Sequence, residues 1–502
     1  MSTPANIDQV LIGVIGSGIS AVSFAKQIEQ LYNTHKEQND GVTVSIRIII
    51  LEGRNRIGGR TYSIPLDNTQ GEEDDDIWVD MGASWIEGMK KNPITELTKT
   101  LGLNTCPGRK DLGMRGGYYH LETGTCFTDS PLRGYMKKVF YENYERLEDV
   151  FFGSSEDNED AECDDKEDCN EVDEEGEESE EETEEEIIVK QQMVEKIPDR
   201  PLSEIFVNPD SNFIPNFAKL KDPTLGRMFW NSILGYYGLI EGESLEKLSL
   251  NQFISTPILA GDDLYMVSTY GKLVKKLIES LQLTTIELEQ SVSHIEECDN
   301  KIHVKTRNGQ SYQFDYCVCT APLGVLQSTN PLSSISFNPP LSEIKQKSIS
   351  AMGMGLLDKV IIQFKTPVWN KLDSKIKTLS ESGKFYLFIN MAYYDERCDN
   401  KPLLIAFISG QQARELEEKS DDLIMEEILG ILQSFFPEHN IRDLVVKSHI
   451  TRWNSDPFSL GSYSYPPIGA SMKDISNLAL SEYSEKLRFC GEHTATYFSY
   501  AQ

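Results

Sequence analysis

Apolar positions in this chain follow two distinct periods. Residues 10–15 form a near-continuous apolar run, as expected of a strand covered on both faces. From residue 18 to 32 the apolar Ala21, Phe24, Ala25, Ile28 and Leu31 recur at helical spacing. Residues 35–41 are polar and read as a loop. Residues 44–51 alternate and then become wholly apolar, which predicts a second strand ending at Glu52. Strand, helix and strand in this order predict a βαβ unit. Further along, 284–288, 301–307 and 312–320 read as strands, and Asn308-Gly309 marks a tight turn between the last two. Segments 359–364 and 403–409 are apolar strands, and 421–436 is an amphipathic helix ended by Pro437. No internal repeat is evident.

One segment breaks every pattern. Residues 156–186 hold 21 acids and one lysine, a net −20 of the chain's −32, leaving −12 for the rest. Such a segment buries nothing and repels itself, so it reads as a disordered surface insertion. It is either a solvated spacer or a tether for a basic protein partner. The moderately acidic remainder argues against nucleic acid and is compatible with a cationic substrate.

The length of 502 residues predicts two or more domains. No apolar run reaches the roughly 18 residues of a membrane span, and residues 1–10 lack the basic and apolar regions of a signal peptide. The nine cysteines are scattered without metal-type spacing, and Cys317-Val318-Cys319 falls in a strand-like run that reads as core. No metal site is expected. A reducing, cytoplasmic setting fits these features, with nuclear or peroxisomal locations left open.

Gly16-Ser17-Gly18-Ile19-Ser20-Ala21 joins the first strand to the helix. Gly16 permits the tight turn, Gly18 lets a pyrophosphate approach the backbone, and the helix start offers free N–H groups. Glu52, at the end of the second strand, is placed to accept hydrogen bonds from ribose hydroxyls and would repel a 2′-phosphate. It lies 36 residues after Gly16, an excess assigned to the polar loop at 35–41. A second signature, Gly353-Met354-Gly355-Leu356-Leu357-Asp358-Lys359, puts a lysine into an apolar strand. Such a lysine either snorkels to solvent or is held for use. A third, Gly491-Glu492-His493-Thr494, puts an acid at a strand end.

Together these signatures resemble the FAD-dependent amine oxidases, the superfamily of polyamine and monoamine oxidases. The resemblance covers nearly the whole chain outside the acidic insertion. It implies an α/β and α+β fold, with a Rossmann-like FAD-binding domain (1–95, 266–345 and 464–502) interleaved with a substrate domain (96–265 and 346–463) on a mixed sheet flanked by helices. It assigns FAD contacts to Gly16, Gly18, Ile19, Ser20, Glu52 and Gly53, and to the motif of Arg54, Arg56 and Gly58-Gly59-Arg60, whose arginines would offset phosphate charge. Asp80 through Gly88 resembles the segment passing the flavin ring, with Gly82, Ala83, Ser84 and Trp85 as contacts. Val292 matches the backbone that meets adenine, Thr320 the strand end near the cofactor, and Gly491 and Glu492 the turn and acid near the ribityl chain.

At the substrate end, the resemblance makes Lys359 the catalytic residue, holding a water beside flavin N5. Trp453 matches a tryptophan packed near the flavin ring. Tyr463 and Tyr500 match two aromatics that sandwich the amine. Ser462 stands where monoamine oxidases carry a cysteine that bonds the flavin, so FAD is expected to be non-covalent. Glu87 stands where many relatives carry histidine, and its carboxylate can pair with a distal ammonium. Asp262 and Asp263 either add to that field or form a solvated turn. The implied reaction is oxidation of a polyamine (spermine, spermidine or acetylated forms) with O2 as acceptor. Rival readings are a histone lysine demethylase and a non-catalytic flavoprotein or acidic scaffold; an amino-acid oxidase lacks an evident arginine for a carboxylate. Relatives continue past Tyr500 with Gly-Ala and a helix facing the flavin, whereas this sequence stops at Gln502. FAD affinity and activity are therefore expected to be sensitive to that end, and any C-terminal peroxisomal address would lie beyond it.

Overall fold

The computed structural model describes residues 8–38, 44–66, 77–107, 115–152, 184–194, 196–257 and 259–495. The expectations for Tyr500 and for 156–183 lie outside these residues. Glu184, Glu185 and Glu186, read as the end of a disordered insertion, instead open the helix Glu184–Val194.

The fold is mixed α/β, with several sheets. One sheet has five parallel strands in the order Leu487–Phe489, Tyr316–Cys319, Asp8–Ile15, Val44–Leu51 and Thr284–Glu287. Its strands come from three distant parts of the chain. The inner positions Val14, Ile48 and Ile50 are fully buried, which is why these runs are apolar on both faces. The register sets Ile15 level with Leu51 and Cys319, Leu51 with Glu287, and Cys319 with Phe489. Every strand therefore ends at one level, and the segments beginning at Gly16, Glu52, Thr320 and Cys490 leave the sheet along one edge. In an open parallel sheet that edge is where ligands bind.

A second sheet orders Val445–Ile450, Leu357–Phe364, Leu403–Ser409, Leu387–Asn390, Asp373–Leu379 and Arg115–His120, antiparallel except for the last pair. Leu357–Phe364 runs through its interior, and Val360, Ile361 and Ile362 are at most 1% exposed. The helix Asp421–Phe435 covers this sheet with Ile424, Ile428, Leu432 and Phe435, and Ser420 caps its start by accepting from Leu423 N. A four-stranded sheet (Ser311–Phe314, Lys301–Thr306, Val292–Cys298 and Ser336–Asn338) contains the hairpin at Asn308-Gly309, where Gly309 has φ +89°. No helix among the described residues is long and apolar enough to cross a membrane.

Three sequence readings change. The first helix is Ile19–Gln38, so residues 35–38 extend the helix rather than form a loop. Leu31 is 67% exposed, whereas Glu29 is buried at 3%. The Glu29 carboxylate accepts Gln282 N, Leu283 N and Thr284 Oγ1 at 2.6–2.9 Å, tying the helix to the entry of an edge strand. A polar residue took the core position because backbone donors face it. The single strand expected at 312–320 is two strands, Ser311–Phe314 and Tyr316–Cys319, in different sheets. Asp315 makes the break: its carboxylate accepts Leu11 N at 2.8 Å and pairs with Lys301 at 3.0 Å, and its own N–H donates to Leu11 O.

Candidate active site

One cavity of about 1680 Å³ opens along the carboxyl ends of the parallel strands and continues to the strand Leu357–Phe364, next to the edge of the second sheet. Ordinary small-molecule pockets run to about 300–1,000 Å³, so this one has room for a dinucleotide and a further ligand. The site residues expected from sequence that are described, from Gly16 to Glu492, line it, except Arg56, which borders a separate hollow with Arg54 and Asp456.

The first end is built mainly from backbone. Gly16 has φ +93°, a conformation that favours glycine, and its N–H donates to Leu51 O. The helix then starts at Ile19, so its first amides have no helical acceptor. A Cβ on Gly18 would meet only Gly58 O, at 4.0 Å. No described residue fills the space in front of this glycine, and that is the fit a closely approaching phosphate requires. Gly58 N donates to Ser17 O at 3.1 Å, bringing the second glycine pair against the first.

Charged side chains brace this end. Glu52, 3% exposed, accepts Ser17 N and Ser17 Oγ on Oε2 and Arg54 N on Oε1, at 2.7–2.8 Å. Arg54 donates from Nη2 to both oxygens of Asp456 and to Ser459 Oγ, each at 2.8 Å. Arg56 donates to Gly59 O at 2.9 Å and lies 3.8 Å over the Tyr62 ring. Both arginines thus already have partners in the protein. Across the cavity Arg60 donates to Ser462 O at 2.7 Å and to Glu492 Oε1 at 3.0 Å. The other Glu492 oxygen accepts Ser464 N and Ser464 Oγ. Arg307, not anticipated from sequence, donates to Ser291 Oγ and Val292 O and so holds the Val292 edge in place.

Lys359 forms the middle of the cavity. It is 2% exposed and does not snorkel. Its Nζ donates to Asp80 O at 3.0 Å, Gly82 O at 2.5 Å and Ser84 Oγ at 2.6 Å, and lies 5.3 Å over the Phe407 ring. Burial pushes its pKa below the ordinary lysine value, opposed by Asp80. Burial likewise raises the Asp80 carboxyl, which accepts from Ser63 Oγ and Tyr270 N. Trp453 packs against this segment: its Nε1 donates to Met81 O at 3.3 Å, and a Cβ on Gly82 would sit 3.4 Å from its ring.

The far end is built from side chains. Trp85 packs against Tyr265, Tyr394 and Phe407 with ring centroids 5.3–5.9 Å apart. Tyr463 presents its ring to the cavity while its hydroxyl donates to Ile240 O at 2.6 Å. Glu87 has a pKa raised to about 8, by burial first and then by the charges of Asp263 and Glu241. Burial also raises Glu241, to about 7. Asp263 accepts Gly88 N at 2.9 Å at the exposed rim. Sequence reasoning missed Glu241, Tyr236, Tyr237 and Lys375, all on the cavity wall. The first three share the helix Pro223–Glu241, where positions 237 and 241 lie one turn apart. That spacing was readable, but nothing in it marked the face as a cavity wall. Ser462 Oγ donates to Leu357 O at 2.8 Å. No cluster of three or more metal-ligating side chains occurs among the described residues.

Comparison with known proteins extends this picture. A family model for flavin containing amine oxidoreductase matches residues 38–502. Over 500 residues, 96% of this chain, it is 26% identical to lysine-specific histone demethylase 1 homolog 2 of Oryza sativa subsp. japonica, and it spans 53% of that protein's length. It is 25% identical to polyamine oxidase 2 of Arabidopsis thaliana over 97% of the chain and 83% of the relative. It is 28% identical to lysine-specific histone demethylase 1B of Mus musculus over 51% of the chain and 30% of the relative. The chain thus spans about half the length or less of the demethylases it matches here.

Proposed function

The chain belongs to the flavin containing amine oxidoreductases, and from that premise we propose that it oxidises a polyamine with non-covalently held FAD. The overall reaction takes a secondary amine, O2 and water to an aldehyde, a shorter amine and H2O2. FAD, when bound, supplies the acceptor for the hydride lost from the carbon beside the amine nitrogen. We read the parallel sheet and its neighbours as the FAD-binding unit and the second sheet as the base of an interleaved substrate unit.

In this reading the chain's own residues bind, orient and exclude water. Gly18 and the first amides of the helix Ile19–Gln38 receive the pyrophosphate, and Glu52 the ribose. Trp85, Phe407, Trp453 and Tyr463 wall off water and favour a neutral reacting amine. Lys359, buried between Gly82 and Ser84, holds a proton at Nζ within the cavity. Glu87 and Glu241 receive the distal ammonium.

The observation that carries the polyamine reading is this acidic far end. Burial raises the pKa of Glu241, and burial with the charges of Asp263 and Glu241 raises that of Glu87; a cationic chain favours the ionised form of both. A second reading, oxidation of an N-methylated lysine side chain, is supported by the similarity to proteins named as histone demethylases. Anaerobic mixing of the FAD-loaded chain with spermine tests the first. Bleaching of the flavin band near about 450 nm is expected. A band that persists with spermine but bleaches with a methyl-lysine peptide would transfer the assignment to the second reading, and a band inert to both would reject both.

A further inference from the structure

The far end of the cavity carries cations as well as acids. Lys375 stands on the strand Asp373–Leu379 and lines the cavity with Tyr236 and Tyr394. Its strand partner is Ile389, and that of Lys377 is Leu387; both partners line the cavity too. Alternation along the strand puts Lys375 and Lys377 on one face. Their ammonium groups lie 5.5 and 4.9 Å from the centroid of the Tyr236 ring. Lys377 Nζ donates to Tyr118 Oη at 3.4 Å, and Lys375 Nζ donates to Tyr236 Oη at 3.5 Å. The Tyr236 hydroxyl thus accepts, while its own hydrogen meets no acceptor among the described residues. An ammonium and a phenol O–H are both donors here.

Acids flank this cluster on two sides. Asp263 accepts Gly88 N, which places it next to Glu87. Burial raises the Asp263 carboxyl, opposed by that N–H and by the charge of Lys375. Glu241 ends the helix that carries Tyr236, five residues on, a rise of about 7.5 Å. The acid pair Glu87 and Glu241 and the donor pair Lys375 and Tyr236 therefore face one cavity within the reach of a single extended ligand.

The two charge signs restrict what can end beside Tyr236. A terminal ammonium meets Lys375 and Lys377, and has to share Asp263 with Lys375. A terminal carboxylate meets Asp262 and Asp263 at the same rim. An uncharged carbonyl meets neither repulsion and accepts from both donors.

We propose that Lys375 and Tyr236 determine specificity by receiving the acyl carbonyl of a mono-N-acylated polyamine, whose remaining ammonium is left to Glu87 and Glu241. This inference rests on the polyamine reading and adds no bond-breaking step to it. Lys375 favours the acylated end twice, by donating to its oxygen and by repelling the ammonium that would replace it.

Steady-state kinetics of the FAD-loaded full chain with N1-acetylspermine and with spermine test it. Wild type should show kcat/KM at least about tenfold higher for acetylspermine. In Lys375→Met, KM for acetylspermine should rise about tenfold while KM for spermine falls. Opposite movements separate specificity from damage to the fold, which would move both values the same way. An unchanged ratio of the two KM values, or a parallel rise in both, overturns the inference. If Lys375→Met does not load FAD, Tyr236→Phe decides. It keeps the ring and loses the donor, so KM for acetylspermine must rise at least about threefold more than KM for spermine; an equal change overturns the inference. Oxidation of spermine by wild type with a ratio that Lys375→Met preserves rejects this inference alone. A wild-type flavin that neither amine bleaches rejects the polyamine reading, and this inference with it.

Discussion

The two ends of the cavity are made differently. At the parallel-sheet end the wall is mostly backbone: a turn at Gly16, an open face at Gly18 and a helix start at Ile19. These groups are fixed by hydrogen bonds between neighbouring strands, and the nearby charges Glu52, Arg54 and Asp456 are paired with one another. At the far end the wall is side chains from separate elements: Glu87 just beyond the strand Trp85–Ile86, Tyr236 and Glu241 on the helix Pro223–Glu241, and Lys359, Phe407, Trp453 and Tyr463. Burial raises the pKa values of Glu87 and Glu241 there, to about 8 and about 7. The contrast teaches that one end offers backbone donors and the other a cluster of acids, which in the proposed reading suit an anion and a cation respectively.

The largest effect should come from filling the open face. Gly18→Val places a branched side chain where only Gly58 O lies within 4.0 Å, so the apoprotein should fold while bound FAD falls by more than tenfold, read from the visible spectrum after gel filtration. Normal FAD content would break the backbone account of that end.

Lys359→Met attacks the middle. It leaves Asp80 O and Gly82 O without their ammonium donor, a stability loss of about 1–3 kcal/mol. If Lys359 handles a proton, flavin reduction or reoxidation should slow about 10²-fold or more with FAD retained. Unchanged stopped-flow rates would remove Lys359 from the chemistry.

At the far end Glu87→Gln and Glu241→Gln should each raise KM for spermine about tenfold, the equivalent of about 1.4 kcal/mol, and change KM for a monoamine much less. The pH dependence has a definite sign. Glu87 is neutral below about 8 and ionised above, so its attraction for a distal ammonium strengthens as pH rises through that value. In Glu87→Gln that alkaline gain should disappear from the KM profile; a gain that persists unchanged would locate the anionic site elsewhere.

The smallest effect is expected at Tyr463→Phe. It removes the hydroxyl that donates to Ile240 O and Leu239 O but keeps the ring, so stability should fall by about 1 kcal/mol with little change in KM. A large rise in KM would mean the hydroxyl itself meets substrate.

The same contrast explains what was readable in advance. Gly16, Gly18 and Glu52 are set by local order along the chain: a strand, a turn, a helix and a strand dictate where each points. Lys359 stood out because a lysine inside an apolar run is costly wherever the strand lies. Glu241 and Lys375 carried no such mark, since a glutamate ending a helix and a lysine in an alternating strand are ordinary surface patterns. Leu31 was misjudged, and Glu29 passed over, for the same reason. Helical spacing cannot reveal that Gln282 N and Leu283 N wait 2.7 and 2.9 Å from a carboxylate.

By itself, then, the sequence determined the parallel strands, the glycine turn, the acid at the end of the second strand and the buried lysine, because each rests on periodicity or on a residue type whose physics is local. Only the tertiary structure decided that the strand ends finish level, that Asp315 hands the chain from one sheet to another, and that Glu87, Glu241 and Lys359 face one cavity. Those outcomes depend on pairings between residues as much as hundreds of positions apart, whose register is set by packing on both faces of a sheet rather than by any neighbour along the chain.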